Sequence, residues 1–268
     1  MPRGNTSTPR SKGRGQPRSV LERVAVLLIG VYVCYHAIAP GSAFSFVKSC
    51  AAPARVKLTY FDAEGKAEKV RLALVLGGIE FEDNRIPMEQ WGQVRDNFRL
   101  GRVTTMAIDG AAAITQSEAM LRYVGSLSSP SLYPEEPKLR ARVGEVLGLV
   151  ADIEELLVPS WRILTKPQIY GYEEDLSQES RQVIYDSLMV KLLEPDSHLT
   201  KFLHFLDGRL GATGTGFFAG PSATIADCAV LAQLRLLKQG RPYLAGECPS
   251  RLLGEMPSLE SFYAMLHS

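Results

Sequence analysis

The chain has 268 residues, 46% hydrophobic and 22% charged, which suits a globular protein of one large or two modest domains. Its net charge of +1 hides an asymmetry, because the first 43 residues hold Arg3, Arg10, Lys12, Arg14, Arg18 and Arg23 against Glu22 alone. The remaining 24 basic and 28 acidic residues give a body of net charge −4, with no electrostatic reason to bind nucleic acid.

Residues 1–43 read as an address label. A polar basic leader precedes the apolar run Val24 to Ala39, and Gly41-Ser42-Ala43 supplies small residues for cleavage before Phe44. Reaching back to Val20, the same run reads as an uncleaved membrane anchor. Residues 44–55, beginning FSFVKSCAAPAR, are basic and free of acids, as transit peptides are. The chain is therefore expected to enter the secretory pathway, ending either in the endoplasmic reticulum or outside the cell, or in a secondary plastid. A membrane association is expected only if the N-terminal segment stays uncleaved.

The stretch from Val56 to Gly125 organises the rest. Val56, Leu58 and Tyr60 alternate with Lys57 and Thr59, the period of a strand. Ala67, Val70 and Leu74 form one helical stripe from about Lys66, and Gly77-Gly78 ends it. Asp109-Gly110 predicts a two-residue hairpin between Thr105–Ile108 and Ala111–Ile114. A further helix opens at Ser117. Strand, helix, strand, hairpin and helix make a small sheet with helices packed on it, an α/β thioredoxin-like domain over 56–128.

Ser126 to Pro137 is rich in Ser and Pro and reads as an interdomain linker. Residues 138–268 read as an all-α domain. Leu139, Val143, Val146, Leu147, Val150, Ile153 and Leu157 keep helical spacing, as do Leu199, Phe202, Leu203 and Leu206. Thr224 with Asp227 three residues on is a helix-start box. Cys34, Cys50, Cys228 and Cys248 form no CxxC and no metal-ligand spacing, so neither a disulfide framework nor a metal site is expected. Cys228 reads as a small core residue, and His198 and His204 as surface residues.

Tyr60-Phe61, Gly65-Lys66-Ala67-Glu68, Trp91, Gly101-Arg102-Val103 and Gln116-Ser117 before Ala119-Met120-Leu121-Arg122-Tyr123 stand in one order. In that order and spacing the chain resembles the glutathione S-transferases, closest to the sigma class that includes the glutathione-dependent prostaglandin D synthases. The likeness spans roughly 56–268. It implies a thioredoxin-like domain followed by an all-helical one, glutathione as co-substrate without a metal, an apolar electrophile as second substrate, and a homodimer.

By the same resemblance Tyr60 is the catalytic tyrosine. A free thiol has a pKa near ~8.5, and a hydroxyl donating to the sulfur favours the thiolate. Gln116 and Ser117, at a helix start, would take the γ-glutamyl carboxylate on exposed N–H groups. Trp91 and a basic residue, Arg95 or Arg102 after Gly101, would meet the glycyl carboxylate. Val103 would pair with the cysteinyl backbone as an added strand does. Lys66 stands where the family often has arginine, keeping the charge but not the fork. The pocket for the electrophile is expected between loop Asp62–Glu64 and the first long helix of the all-α domain.

Two departures stand out. Thr104 occupies the position of the family's cis-proline, leaving cis and trans both open for the Val103–Thr104 bond. Glu64 lies where the family commonly carries a basic residue; a carboxylate there would oppose the thiolate unless Lys66 neutralises it. Both departures motivate an alternative, a non-catalytic binding or structural protein of this family.

Overall fold

The computed structural model describes residues 55–173, 175–239 and 253–267. The leader, the acid-free segment up to residue 54, Cys34, Cys50 and Cys248 lie outside the described residues, and so does the choice between cleaved signal and anchor.

Strand β1 (Val56–Phe61) is central, with the parallel strand β2 (Phe81–Ile86) on one side and the antiparallel β3 (Thr105–Ile108) on the other. Strand β4 (Ile114–Thr115) completes a four-stranded sheet of order β2-β1-β3-β4. The β1–β2 crossover is helix α1 (Gly65–Leu76). A short helix α2 (Trp91–Val94) follows β2, and α3 (Ser117–Leu127) follows β4. Ala67, Val70 and Leu74 are buried as the stripe predicts, and Gly78, at φ +63°, ends α1 in the left-handed region.

The hairpin differs from expectation by one residue. Asp109 and Gly110 both have positive φ (50° and 75°), and the Ala111 N–H donates to Ile108 O at 2.8 Å, closing a two-residue turn. A ladder continued directly from that turn would pair Met106 with Ala113. Met106 instead pairs with Ile114, so 111–113 absorb an extra residue and β4 shrinks to two. Three small exposed alanines have no apolar face with which to hold the other register.

The helical domain contains α4 (Pro137–Thr165), α5 (Gln178–Leu192), α6 (His198–Thr213), α7 (Ile225–Gln239) and α8 (Pro257–His267). The Glu136 carboxylate caps α4 by accepting from the N–H groups of Lys138 (2.9 Å) and Leu139 (2.6 Å). The Thr224 box forms as the spacing predicts. Asp227 accepts from Thr224 N at 2.7 Å, Thr224 Oγ1 at 2.8 Å and Phe218 N at 3.0 Å, while Thr224 Oγ1 accepts from Ala226 N at 3.3 Å. Burial pushes the Asp227 carboxyl up from its ordinary range, opposed by these hydrogen bonds. Cys228 is 3% exposed, and desolvation pushes its thiol up to about 12, so it stays an inert core residue.

One apolar core runs through both domains, joining Leu58, Val70, Leu74, Met106 and Met120 to Val143, Leu147, Phe218 and Ile225. The segment read as a linker is stitched into it. Leu132 is buried, its N–H donates to Gly125 O at 3.0 Å, and its carbonyl accepts from the Ile225 N–H at 2.9 Å. Gly125 itself lets α3 approach α7; a Cβ there would lie 2.5 Å from the Ile225 side chain.

Candidate active site

The topology brings the candidate residues to one end of the sheet. Tyr60 stands near the carboxyl end of β1, and β2, parallel to it, ends on the same side before Trp91. Strand β3 runs the opposite way, so its first residues lie at this end, with Thr105 opposite Thr59 and Gly101-Arg102-Val103 just before it. Thr115 pairs with Thr105, which returns Gln116 and Ser117 to the same end. In α/β sheets this carboxyl end is the usual place for a ligand crevice.

The Tyr60 hydroxyl is held by the start of α1. Its oxygen accepts a hydrogen bond from the Lys66 N–H at 3.3 Å. Gly65 makes that approach possible. Its φ is +43°, and a Cβ on it would lie 2.6 Å from Tyr60 Oη and 2.8 Å from Cε1. Gly65→Ala therefore meets both backbone strain and a clash. It is expected to lower stability by about 1–2 kcal/mol, from the cost of left-handed backbone, and to displace the ring. Thermal denaturation with a parallel assay for activity checks this, the activity falling about tenfold if the Tyr60 hydroxyl acts in catalysis.

Trp91 packs edge-on against Phe61, ring centroids 5.1 Å apart, and leans on Phe98 at 5.6 Å. The indole is thereby tied to the strand end that carries Tyr60. Arg95 is exposed and pairs with Asp96 at 3.4 Å, and Arg102 is exposed as well. Gly101 adopts φ +56° with the Arg95 side chain beside it. The Val103–Thr104 peptide bond is cis. The Thr104 side chain is buried, and its Oγ1 has no hydrogen-bond partner among the described residues. Gln116, at φ +77°, is the residue capping α3, with no side-chain cap hydrogen bond. Ser117 is thus the first helical residue rather than the cap, and the first-turn N–H groups of α3 stand behind it.

Charge around the Tyr60 loop is arranged differently from expectation. Lys66 does not neutralise Glu64. Lys66 Nζ lies 3.6 Å from Glu154 Oε2 on α4, and the buried Lys69 Nζ reaches Glu154 Oε1 at 3.0 Å. Glu64 instead meets Arg235 of α7 at 2.9 Å, and Arg235 also meets Glu68 at 3.0 Å. Arg71 ties the loop from below: its NH1 donates to Ala63 O at 2.8 Å and Glu68 Oε2 at 3.3 Å, and its Nε to Asp83 at 3.1 Å. Arg85 joins Asp83 at 2.8 Å to Asp62 at 3.0 Å.

Sequence reasoning missed Glu154, Arg235 and the inward-facing Arg71. Only Arg235 left a trace, as a cation within the apolar run Ala229 to Leu237. Among the described residues no cluster of three His, Cys, Asp or Glu is placed to hold a metal ion, and no helix is long and apolar enough to cross a membrane.

No family model matches the chain. Over 174 residues it is 30% identical to glutathione S-transferase 1 of Ascaris suum, covering 65% of this chain and 76% of that one. The chain belongs to the glutathione S-transferase family. A second glutathione S-transferase relative, the class-mu 28 kDa isozyme of Schistosoma mansoni, is 24% identical, with 77% of this chain and 93% of that one covered. Among solved structures, the glutathione S-transferase of Ascaris lumbricoides matches with a TM-score of 0.54 at 27% identity, covering 79% of this chain and 97% of that one. Prostaglandin synthase D of Nilaparvata lugens matches with a TM-score of 0.62 at 19% identity, covering 79% and 91%, a likeness of fold. The expected transferase architecture, a thioredoxin-like domain followed by an all-α domain, is thus the one observed.

Proposed function

We propose that the chain is a glutathione transferase in which Tyr60 holds the thiolate of glutathione for attack on, or isomerisation of, an apolar electrophile. The observation that carries this reading is the Lys66 N–H bonded to the Tyr60 oxygen at 3.3 Å. A phenol that accepts from an amide keeps its own proton for another acceptor, and Tyr60 donates to none among the described residues. A sulfur at the carboxyl end of β1 would take that proton as a hydrogen bond. The glutathione proton leaves to solvent, the thiolate attacks the electrophilic carbon, and the leaving group departs with the bonding pair.

The remaining groups bind. The exposed N–H groups at Gln116-Ser117 suit the γ-glutamyl carboxylate, the Val103 main chain suits the cysteinyl unit, and Trp91 with Arg95 or Arg102 suits the glycyl end. Lys66 adds positive charge, reduced by Glu154. The domain limits 56–128 and 138–268, the homodimer, a sigma-like subclass and entry into the secretory pathway belong to the same reading. The pocket for the electrophile is taken to lie between loop 62–64 and α4.

The test is conjugation of glutathione to chlorodinitrobenzene, alongside retention on immobilised glutathione. Turnover above the uncatalysed rate is expected. Retention without turnover leaves the non-catalytic alternative; neither one sinks both readings.

A further inference from the structure

We propose that Arg235, contributed by helix α7 of the helical domain, is a positioning residue of the glutathione site. It holds Glu64, fixes the loop between Tyr60 and α1, and offsets a carboxylate that would otherwise oppose the thiolate. The inference rests on the reading of Tyr60 given above.

The geometry is specific. Loop 62–64 joins the strand carrying Tyr60 to the helix start that bonds its hydroxyl, and Glu64 immediately precedes that helix. Arg235 NH2 meets Glu64 Oε1 at 2.9 Å while NH1 meets Glu68 Oε1 at 3.0 Å, so one guanidinium fork spans the first turn of α1. The Arg235 and Glu64 side chains are only 24% and 29% exposed, where ion pairs are less screened than on an open surface. Arg235 Nε is buried with no hydrogen-bond partner among the described residues, so the guanidinium is directed to α1 at the expense of its own surroundings.

The other charges facing this loop are already engaged. Arg71 holds the Ala63 carbonyl and Glu68, and Arg85 holds Asp62. Lys66 and Lys69 turn to Glu154. Among the described residues Arg235 is therefore the cation paired with Glu64. An uncompensated carboxylate beside a thiol raises its pKa, by about half to one unit for a nearby, partly shielded charge.

The experiment measures kcat/KM for chlorodinitrobenzene against pH at saturating glutathione, in the wild type, Arg235→Gln, Glu64→Gln, the double variant and Tyr60→Phe. Arg235→Gln is expected to move the acid limb up by about half to one pH unit, with rates on that limb about three- to tenfold lower. Glu64→Gln should move it down, since the loop then carries one negative charge fewer while Arg235 keeps its charge and its contact with Glu68. The double variant should return close to wild type. A clamp that is only structural would impair both single variants in the same direction and the double no less. An unmoved limb in Arg235→Gln, or a double variant no nearer wild type, overturns the proposal. If Arg235→Gln does not fold, Glu64→Gln alone decides: a limb that stays or rises overturns it. An unaltered Tyr60→Phe profile, with the charge series behaving as expected, would instead remove Tyr60 from the mechanism and leave Arg235 in place.

Discussion

Tyr60→Phe is expected to lower kcat about 10- to 100-fold while changing the KM for glutathione less than about threefold. The substitution removes one oxygen and leaves the ring against Phe61, so the sheet should hold; the two rings lie 5.3 Å apart. A hydrogen bond to a charged partner contributes about 1.5–3 kcal/mol, which converts to that range of rate. In the proposed reading the peptide ends of glutathione are held elsewhere, at the start of α3 and near Trp91, so binding should change little. The acid limb of the rate profile should rise toward the free thiol value of ~8.5. Steady-state kinetics across pH with chlorodinitrobenzene makes the comparison. A kcat within about twofold of wild type would mean the hydroxyl does not act on the sulfur.

Asp227→Ala is expected to destabilise the protein by about 3–5 kcal/mol. The carboxylate is 1% exposed and satisfies Thr224 N, Thr224 Oγ1 and Phe218 N together. Truncation leaves two buried amides and a hydroxyl without an acceptor, and opens a void beside Phe218. At about 2–4 °C of Tm per kcal/mol for a chain of this size, the midpoint should fall on the order of 10 °C. Asp227→Asn, which keeps one acceptor oxygen, should fall between the two. Thermal denaturation followed by circular dichroism gives the order. An Asp227→Ala midpoint within about 2 °C of wild type would show that the box is not what fastens α7.

How much of this was legible beforehand depended on how local each cause was. The stripe of α1, the Gly77-Gly78 stop, the Thr224 box and the buried Cys228 all follow from spacing within one or two turns, and each is found where the sequence places it. The hairpin turn was legible, but its register was not: 111–113 are alanines, and nothing in them prefers one face. Charge partners were the least legible. The sequence places Lys66 two residues from Glu64, and proximity along the chain made it the obvious neutraliser. In a helix, side chains two apart diverge, so Glu64 and Lys66 turn to different elements, Arg235 on α7 and Glu154 on α4. The sequence also showed one apolar stripe on helix α1, Ala67, Val70 and Leu74. The helix is packed on both sides, which buries Glu68, Lys69 and Arg71 where a one-sided helix would leave them wet. Only long-range packing could reveal that.

The sandwiching of α1 bears on modularity. Were the polypeptide severed after Leu127, Lys69 would lose its counter-ion, Glu68 would lose one of its two arginines, and the apolar side of α1 toward α7 would meet solvent. The half that carries Tyr60 is thus no transplantable cassette; its shape is completed by residues translated long after it.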